Sequence, residues 1–254
     1  MSVRTRLDKL MLQYDAIELI NLARSLLRLS YREMSEILGI PDSMLCRYAN
    51  GDLLPSVETA KKIVSKLESV LSLEDILRRN IRCLEGYCNF TELVLSSSVL
   101  KLYARRVRQK FGGQGVNKVL TAATDGVPLA VAAALALGAE LAIAKQYRDV
   151  FVEEFYESTL ILEDPPRKVT LYLPRNTLKR GDKILIVDDI VRTGRTVQAL
   201  IDMCRKADAC VVGVSILIAL GSEWYSRLRC TDAKIDVVLQ LPRETCLATC
   251  LERS

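Results

Sequence analysis

The sequence predicts an α/β protein in which an all-helical N-terminal domain precedes a C-terminal domain built on a mainly parallel sheet. Apolar residues recur at helical spacing through residues 15–82, which indicates amphipathic helices. Beyond them, short apolar runs rich in β-branched residues alternate with helical segments, a pattern typical of strands joined by crossover helices. We therefore expect a helical domain over residues 1–85 and an α/β domain over residues 86–254.

The N-terminal region contains the start and stop signals of two short helices. Ser30 and Glu33 form the capping box that opens a helix, and Gly39 supplies the left-handed residue that ends it. Asp42 is the expected N-cap of the next helix, which closes at Asn50 and the glycine after it. Two helices joined by a glycine turn form a helix-turn-helix.

Residues 30–60 resemble the DNA-binding domains of Cro and the phage repressors, including the stretch NGDLLPS after the second helix. The resemblance implies that the second helix enters the major groove of double-stranded DNA. The residues then expected to contact DNA are Arg32, Asp42, Ser43, Met44, Arg47 and Asn50. Residues 1–82 hold thirteen Lys and Arg against eleven Asp and Glu, so binding would depend on dimerisation and on the local placement of cations. A packing or dimerising role for the same helices is the alternative.

The junction between the two regions is followed by a cationic segment. The stretch SLEDILRRNIRCLEGY predicts a connecting helix that ends near Gly86, and SSSVLKLYARRVRQKFGG predicts an amphipathic helix that ends at Gly112. No Asp or Glu occurs from Leu93 through Thr124. The basic residues expected on the outward face of the second helix are Lys101, Arg105, Arg106 and Arg108. They form either a solvated face or a second contact with DNA or a subunit.

The stretch ILIVDDIVRTGRT, residues 184–196, joins two acids to a glycine-bearing loop. Lys183 to Val187 predicts a short buried strand, with Asp188 and Asp189 at its carboxyl edge, where open α/β sheets bind ligands. The loop leads into a helical pattern, and amide groups at a helix N-terminus suit a phosphate. The pattern thus predicts a ligand that carries a phosphate, together with hydroxyls or a metal for the acids. Two capping aspartates at an ordinary turn are the alternative.

This stretch resembles the phosphoribosyl-diphosphate motif of type I phosphoribosyltransferases, and the resemblance implies their fold for the C-terminal domain. Asp188 and Asp189 would then hold the ribose hydroxyls, often through the hydration shell of a magnesium ion. The 5′-phosphate would be bound by Arg192, Thr193, Gly194, Arg195 and Thr196. The diphosphate-binding loop of the family, and the basic residue that faces the diphosphate, correspond to Ala123, Thr124, Asp125, Gly126 and Lys145.

The segment from Asp149 to Pro166 bears on whether the protein is an enzyme or a sensor. Members of that family close a flexible loop, commonly with basic residues, over the diphosphate at this point, whereas this segment holds six acids and no Lys or Arg. Closing it over a diphosphate would bring like charges together. Its alternating pattern, with Phe151, Phe155 and Tyr156, favours a hairpin used for packing or dimerisation.

The combination of features resembles archaeal phosphoribosyltransferase-like regulators that join a helix-turn-helix to this domain. The resemblance implies a homodimeric DNA-binding transcription regulator that senses phosphoribosyl diphosphate or a related nucleotide, with magnesium, and catalyses no reaction. The alternatives are an active phosphoribosyltransferase acting on orotate or a purine, and a structural module without activity. Trp224 and Tyr225 could stack on a base, or could pack in the core or an interface.

Bulk composition sets weaker limits. The net charge of +5 permits a polyanionic partner without demanding one. The N-terminus lacks a secretory pattern, and the longest uncharged apolar run, GVPLAVAAALALGA, is too short to span a bilayer, so we expect a cytoplasmic protein. Cys46, Cys204 and Cys210 fall on apolar faces and are expected in the core.

Overall fold

The chain forms two compact units, Met1–Arg79 and Asn80–Ser254. The computed structural model describes residues 5–84, 87–163, 166–229 and 231–242. The division between the units lies a few residues before the boundary expected between residues 85 and 86.

The described part of the first unit is helical. Its helices are α1 (Arg6–Leu27), α2 (Tyr31–Leu38), α3 (Asp42–Asn50), α4 (Val57–Val70) and α5 (Leu73–Asn80). Their apolar faces meet in a core because the apolar residues recur at helical spacing. The largest fully buried side chains of this core are Leu19, Ile20, Met34, Leu38, Leu45, Ile63, Leu67 and Leu77.

The residues that start α2 and α3 use different caps. The hydroxyl of Ser30 accepts from the amide of Glu33 at 3.2 Å, and the carboxylate of Glu33 accepts from the amide of Ser30 at 2.8 Å, which confirms the predicted capping box. The N-cap prediction for Asp42 is wrong, because Pro41 occupies the cap position and Asp42 is already helical. The carboxylate of Asp42 instead accepts from the amide of Ser43 at 2.7 Å.

The connecting helix is shorter than the sequence predicted. Helix α5 ends at Asn80 rather than near Gly86, because its buried face stops at Leu77 and polar residues follow. The short antiparallel strands β1 (Arg82–Leu84) and β2 (Tyr87–Asn89) come next.

The second unit is built on a parallel sheet. Its further elements, in chain order, are α6 (Thr91–Leu95), α7 (Ser97–Phe111), β3 (Lys118–Ala122), α8 (Val127–Leu137), β4 (Glu140–Ala144), β5 (Phe155–Glu163), β6 (Pro166–Pro174), β7 (Lys183–Val191), α9 (Arg195–Lys206), β8 (Cys210–Leu220), α10 (Glu223–Leu228) and β9 (Lys234–Leu241). Five parallel strands pair in the order β4-β3-β7-β8-β9, and β5 pairs with β6 in a separate antiparallel hairpin. The predicted fold class, α/β with a mainly parallel sheet after a helical region, is confirmed. Within the described residues, no helix is both long and apolar enough to cross a membrane.

Helices cover both faces of the sheet. On one face, Ile184 and Ile186 of β7 share a hydrophobic core with Leu200 of α9. On the other face, Gly213 of β8 lies directly under Phe111 of α7, and a Cβ at Gly213 would come within 2.8 Å of the ring carbon Cδ1. The acids of β7 therefore sit in a sheet that is buried on both sides, as expected of parallel strands.

Two arginines of α7 that were expected to face solvent lie elsewhere: Arg106 binds the sheet and Arg105 is buried. Arg106 donates from Nε and Nη2 to the carboxylate of Asp236 on β9, each at 2.8 Å, and Arg105 is buried. The prediction that both lie outward is wrong, because a buried acid on the sheet attracts the guanidinium of Arg106. Lys101 and Arg108 are exposed, as predicted.

The three cysteines expected in the core differ in exposure. Cys204 on α9 is buried and Cys46 on α3 is half-buried. Cys210 is exposed, so its prediction is wrong. It is the first residue of β8, where the strand has not yet entered the core.

Candidate functional site

Strand β7 carries two adjacent acids, the acid pair Asp188 and Asp189. The strand continues to Val191, beyond the end predicted at Val187, because β8 runs beside it as far as Ala219. Both acids therefore lie within the strand, and each is only 7% exposed. The amide of Asp189 donates to Oδ1 of Asp188 at 3.2 Å.

The surroundings of the acid pair raise the pKa of both carboxyls. For Asp188 the main cause of the raised pKa is burial, and the charge of Asp189 adds to it. Burial is also the main cause of the raised pKa of Asp189; hydrogen bonds lower that pKa, while the charge of Asp125 raises it further. Within the described residues no Lys or Arg neutralises the pair. Two buried acids without a cation cost free energy, which a bound cation or hydroxyl donors would recover.

The β7 loop, residues 192–196, turns the chain from the strand into α9. Gly194 has a φ of 74°, a left-handed conformation that favours glycine, and the helix begins at the next residue. Amides in the first turn of a helix lack partners within the helix and stand at its positive dipole end. Gly194 is buried, Arg192 is exposed, and Thr193, Arg195 and Thr196 are partly exposed. The loop thus has the geometry that suits an anion, and its role as the phosphate site stays a prediction.

The β3 loop, residues 123–126, follows the neighbouring strand. The amide of Ala123 donates to the carbonyl of Ala144 at the end of β4 at 2.9 Å, and the peptide bond between Ala123 and Thr124 is cis. Thr124 and Asp125 are exposed at the tip of the loop.

Gly126 brings the β3 loop against the acid pair. A Cβ at Gly126 would lie 2.8 Å from Oγ1 of Thr121, and 3.7 Å from both the amide nitrogen and Oδ1 of Asp189. A larger residue would therefore displace the side chain of Thr121, while Asp189 would lie at ordinary contact distance. The sequence predicted a glycine here for approach to a phosphate, and packing within the fold requires it as well.

The acid pair and both loops meet at the topological switch point of the sheet. After β3 the chain adds β4 on one side, and it later adds β7 on the other side. In open α/β sheets, ligands bind in the crevice that forms at the carboxyl ends of the strands at such a point. The structure thus brings the predicted ribose, phosphate and diphosphate residues to one edge of the sheet.

Lys145 stands at the end of β4, the third strand of this edge. Its ammonium donates to both carboxylate oxygens of Asp149 at 2.9 Å, and this hydrogen bond is the main cause of the raised pKa of Lys145. The ammonium also lies 5.3 Å from the ring centroid of Tyr147. Lys145, the residue predicted to face the diphosphate, is therefore bound to an acid of the segment that follows β4.

Residues 155–163 of the acidic segment form β5, which pairs with β6 in an antiparallel hairpin; residues 164 and 165 lie outside the described residues. The hairpin is therefore present, but almost all of its second strand lies beyond the segment, and Phe151, expected within it, precedes β5 and is exposed. Strand β5 packs on α9 through two cations: Arg195 donates to the carbonyl of Ile161 at 2.7 Å, and Lys206 donates to the carbonyl of Glu157. Arg148 forms an ion pair with the carboxylate of Glu157. The hairpin is thus tied to the same helix whose first turn forms the β7 loop.

Trp224 and Tyr225, the candidates for stacking on a base, have different surroundings. Trp224 is buried, and its indole donates to the carbonyl of Gly221 at 3.0 Å. Tyr225 is 56% exposed and packs edge-to-face on Trp224 with 5.7 Å between ring centroids. Trp224 is therefore a packing residue, and only Tyr225 has a ring face open to a ligand.

Magnesium fits the chemistry of the acid pair. Carboxylate oxygens are its preferred protein ligands, and it is usually held by one or two carboxylates together with phosphates of a ligand. Asp188 and Asp189 supply two such carboxylates, and burial raises the pKa of both because their ionised forms are costly there, a cost that a divalent cation would offset. Among the described residues, no group of three or more metal-binding side chains comes together. Asp188 and Asp189 are accordingly the residues that would hold the ion, with the phosphorylated ligand completing its shell.

The residues predicted to contact DNA lie on α2 and α3 of the first unit. Arg32, Asp42, Ser43, Arg47 and Asn50 are exposed, whereas Met44 is half-buried. Beneath them, Met34, Leu38, Ile40, Leu45 and Tyr48 are buried, as predicted. Ile37, also predicted inside, is half-buried.

One contact of the β7 loop was not anticipated. Arg227 of α10 donates from Nη1 to the carbonyl of Thr193. The two residues are separated by a strand, a helix and their loops, so no local spacing in the sequence signals the contact.

The fold and this site define a class of α/β domains with an acid pair and a glycine-bearing loop at the switch point of a parallel sheet. Residues 96–239 match the phosphoribosyl transferase domain family, and because the match covers more than half of the chain, the protein belongs to that family. Adenine phosphoribosyltransferase from Rhodothermus marinus has the same fold, with a TM-score of 0.59 and 24% identity over 66% of this chain and 98% of that one. The predicted type I phosphoribosyltransferase fold is confirmed.

The sequence relatives include both regulators and enzymes. A probable purine biosynthesis transcriptional regulator PurR from Streptococcus pneumoniae is 31% identical over 166 residues, which cover 63% of this chain and 57% of that protein. A xanthine phosphoribosyltransferase from Ectopseudomonas mendocina is 26% identical over 157 residues, which cover 59% of this chain and 78% of that enzyme. The chain thus spans little more than half the length of the regulator that it matches.

Proposed function

We propose that the protein is a DNA-binding transcription regulator that senses phosphoribosyl diphosphate or a related nucleotide. In this proposal residues 1–85 bind DNA and residues 86–254 bind the effector, in a cytoplasmic homodimer. The similarity to regulators named for purine biosynthesis supports the class of function. The separate helical unit, which the phosphoribosyl transferase domain match does not include, supplies the part that would contact DNA.

The effector is proposed from the chemistry of the switch-point site. The acid pair suits the 2′ and 3′ hydroxyls of a ribose, directly or through the water of a magnesium ion. The β7 loop suits the 5′-phosphate, and the β3 loop with Lys145 suits the diphosphate. Phosphoribosyl diphosphate is a ligand that carries all three groups.

The observation that most supports a sensor rather than an enzyme is the ion pair between Lys145 and Asp149. The acidic segment that begins at Asp149 neutralises the one cation expected to face the diphosphate. Catalysis of diphosphate departure needs stabilisation of developing negative charge, and acids at this place oppose it. A binding site that only senses the ligand has no such requirement.

DNA recognition is proposed for α2 and α3 as a helix-turn-helix. Arg47 and Ser43 are exposed on α3, which is the helix that would enter the major groove. In an electrophoretic or footprinting assay with genomic fragments, we expect Arg47→Ala with Ser43→Ala to abolish specific binding while calorimetric affinity for the effector is kept. Lys9→Ala, an exposed charge on α1, is the matched control. An unchanged footprint of the double variant would refute the assignment.

Coupling between the two functions is the direct test of a sensor. Binding of DNA fragments is measured with and without phosphoribosyl diphosphate and magnesium, and binding of the effector is measured with and without the selected DNA. Linkage requires that each ligand change the affinity for the other by the same factor, commonly corresponding to about 1–3 kcal/mol. Equal effector affinities in the presence and absence of DNA would show that the site does not regulate DNA binding.

An active phosphoribosyltransferase is the second candidate, and the similarity to xanthine phosphoribosyltransferases favours it. The exposed ring of Tyr225 is available for stacking on a base in that case. Incubation with phosphoribosyl diphosphate, magnesium and xanthine, hypoxanthine, guanine, adenine or orotate separates the two functions. Nucleotide formation that depends on Asp188 and Asp189 would establish the enzyme.

A further inference from the structure

Helix α10 lies against the β7 loop at Gly194. A Cβ at Gly194 would be 3.3 Å from the carbonyl oxygen of Trp224 and 3.4 Å from both its Cα and its Cβ. The backbone of the loop therefore approaches the backbone of α10 closely, and the positive φ of Gly194 adds to the requirement for glycine. One side of the loop is thus supported by Trp224.

Arg227 contacts the adjoining peptide group from the same helix. It follows Trp224 by three residues, so the two lie on one side of α10. The guanidinium of Arg227 donates to the carbonyl oxygen of Thr193, the residue before Gly194. The peptide unit that joins Thr193 to Gly194 is thereby held from its carbonyl end, while Gly194 is held by packing.

Because the peptide bond is planar, the contact between Arg227 and the Thr193 carbonyl also fixes the direction of the Gly194 amide. In a trans peptide the C=O and the following N–H point in opposite directions. Among the described residues the cis bond lies elsewhere, at Ala123–Thr124. Because the Thr193 carbonyl points towards Arg227, the amide of Gly194 points to the opposite side, away from α10.

Helix α10 is itself anchored to the sheet. The carbonyl of Gly221 accepts from the indole of Trp224 at 3.0 Å and also accepts from the side-chain amide of Gln240 on β9. The amide of Gly221 donates to the carbonyl of Leu241 at 2.9 Å. Helix α10 is therefore fixed to the sheet, and through Arg227 the position of the β7 loop depends on β9 as well as on β7.

We propose that Arg227 is a positioning residue for the 5′-phosphate of a phosphorylated pentose. It orients the Thr193–Gly194 peptide so that the Gly194 amide donates to the phosphate, and its guanidinium adds a positive charge behind the loop. This assignment rests on the proposed ligand of the switch-point site. It adds a residue from outside the β7 loop to the groups that determine phosphate binding.

The test compares Arg227→Gln, Arg227→Lys and Arg229→Gln in the full chain. Arg229→Gln removes the same charge two residues further along, at the C-cap of α10, without the contact to Thr193. Calorimetry with ribose 5-phosphate is expected to show affinity lowered about tenfold or more in Arg227→Gln, partly restored in Arg227→Lys and unchanged in Arg229→Gln. Thermal unfolding of the unliganded variants checks that the fold is kept.

A second measurement follows the loop without ligand. The amide resonance of Gly194 is expected to shift in Arg227→Gln and to stay in place in Arg229→Gln. Equal ribose 5-phosphate affinity in Arg227→Gln and the wild type, or equal losses in the Gln variants of both arginines, would overturn the role of Arg227 alone. Failure of the wild type to bind either ribose 5-phosphate or phosphoribosyl diphosphate would overturn the proposed function and this role with it.

Discussion

Two sets of carboxylates in the second unit are built in opposite ways. In the part of the chain that the structure describes, the acid pair, Asp188 and Asp189, is buried in a central strand with no Lys or Arg to neutralise it, and burial raises the pKa of both. The hairpin acids, defined here as Glu157 of β5 and Asp149 just before that strand, are partly exposed, and each has a cation: Arg148 in direct contact and Lys145 at 2.9 Å, respectively.

The contrast between these two sets indicates which acids are available to bind a ligand. Partly exposed ion pairs contribute little to stability, and the main effect of Asp149 here is to neutralise Lys145 beside the site. A buried pair of like charges lowers stability, so it persists only where another requirement outweighs the cost. We attribute the acid pair to ligand binding and Asp149 to control of the charge at the site.

The largest expected effect is the loss of ribose binding when the acid pair is neutralised. Asp188→Asn with Asp189→Asn replaces the two charged acceptors proposed for the ribose hydroxyls with neutral amides, whose NH2 groups cannot accept. Hydrogen bonds to charged groups are worth about 1.5–3 kcal/mol each, so the affinity for phosphoribosyl diphosphate should fall by about two to four orders of magnitude. Calorimetry in the presence of magnesium measures the change.

Glu157→Gln is the matched control from the hairpin acids, and it should leave the affinity for phosphoribosyl diphosphate unaltered. If the double Asn variant and Glu157→Gln both bound this ligand as the wild type does, the acid pair would have no role in binding. The difference between the acid pair and the hairpin acids would then have no functional basis.

The features that the sequence predicted well are local. A β-branched run identifies β7, a glycine between a strand and a helical pattern identifies the β7 loop, and the Ser30–Glu33 spacing identifies the start of α2. Each signal lies within a few residues of the structure that it specifies. The order of acids, loop and helix also predicted the family, because that order is fixed along the chain.

The features that the sequence missed depend on distant partners. Arg106 was expected outside because its helix has a polar face, but its partner Asp236 lies 130 residues away. Arg227 meets Thr193 across 34 residues. The pairing of Lys145 with Asp149 is close in sequence, yet it depends on how the chain turns after β4. Such contacts become visible only once the sheet order is known.

The second-largest expected effect distinguishes the phosphate-binding role of the β7 loop from the ribose-binding role of the acid pair. Thr193→Ala with Thr196→Ala removes hydroxyl donors from the β7 loop and should weaken ribose 5-phosphate and 2-deoxyribose 5-phosphate equally, by up to about 3 kcal/mol. Neutralising the acid pair should instead remove the preference for ribose over deoxyribose. Titrations of both sugars into both double variants give the comparison. An unaltered affinity of the threonine variant for ribose 5-phosphate would exclude the loop as the phosphate site.

A smaller effect concerns stability rather than binding. Because burial raises the pKa of Asp188, the folded protein binds that proton more tightly than the unfolded chain does. The stability contributed by this group is present at low pH and is lost as the pH rises through the raised pKa. Asp188→Asn avoids the loss, so it should raise the Tm near neutral pH and leave it nearly unchanged near pH 4.

Thermal unfolding of the wild type and Asp188→Asn across this pH range measures the difference. One pKa unit corresponds to about 1.4 kcal/mol, and 1 kcal/mol moves the Tm of a domain of this size by roughly 2–4 °C. A Tm lowered by the substitution at neutral pH would mean that the acid pair stabilises the fold. That result would contradict the inference that this buried pair lowers stability.

The smallest expected effect comes from releasing Lys145. Asp149→Asn removes the carboxylate that binds its ammonium, so the cation becomes available to a diphosphate, and affinity for phosphoribosyl diphosphate should rise modestly. The gain should be small because the pair is partly exposed and its charges are screened by solvent. It should also shrink as salt is added and be absent for ribose 5-phosphate, which has no diphosphate. Glu157→Gln, which releases Arg148 instead, is the control, and a drop in affinity for Asp149→Asn would mean that Asp149 assists binding, for example by holding Lys145 in place.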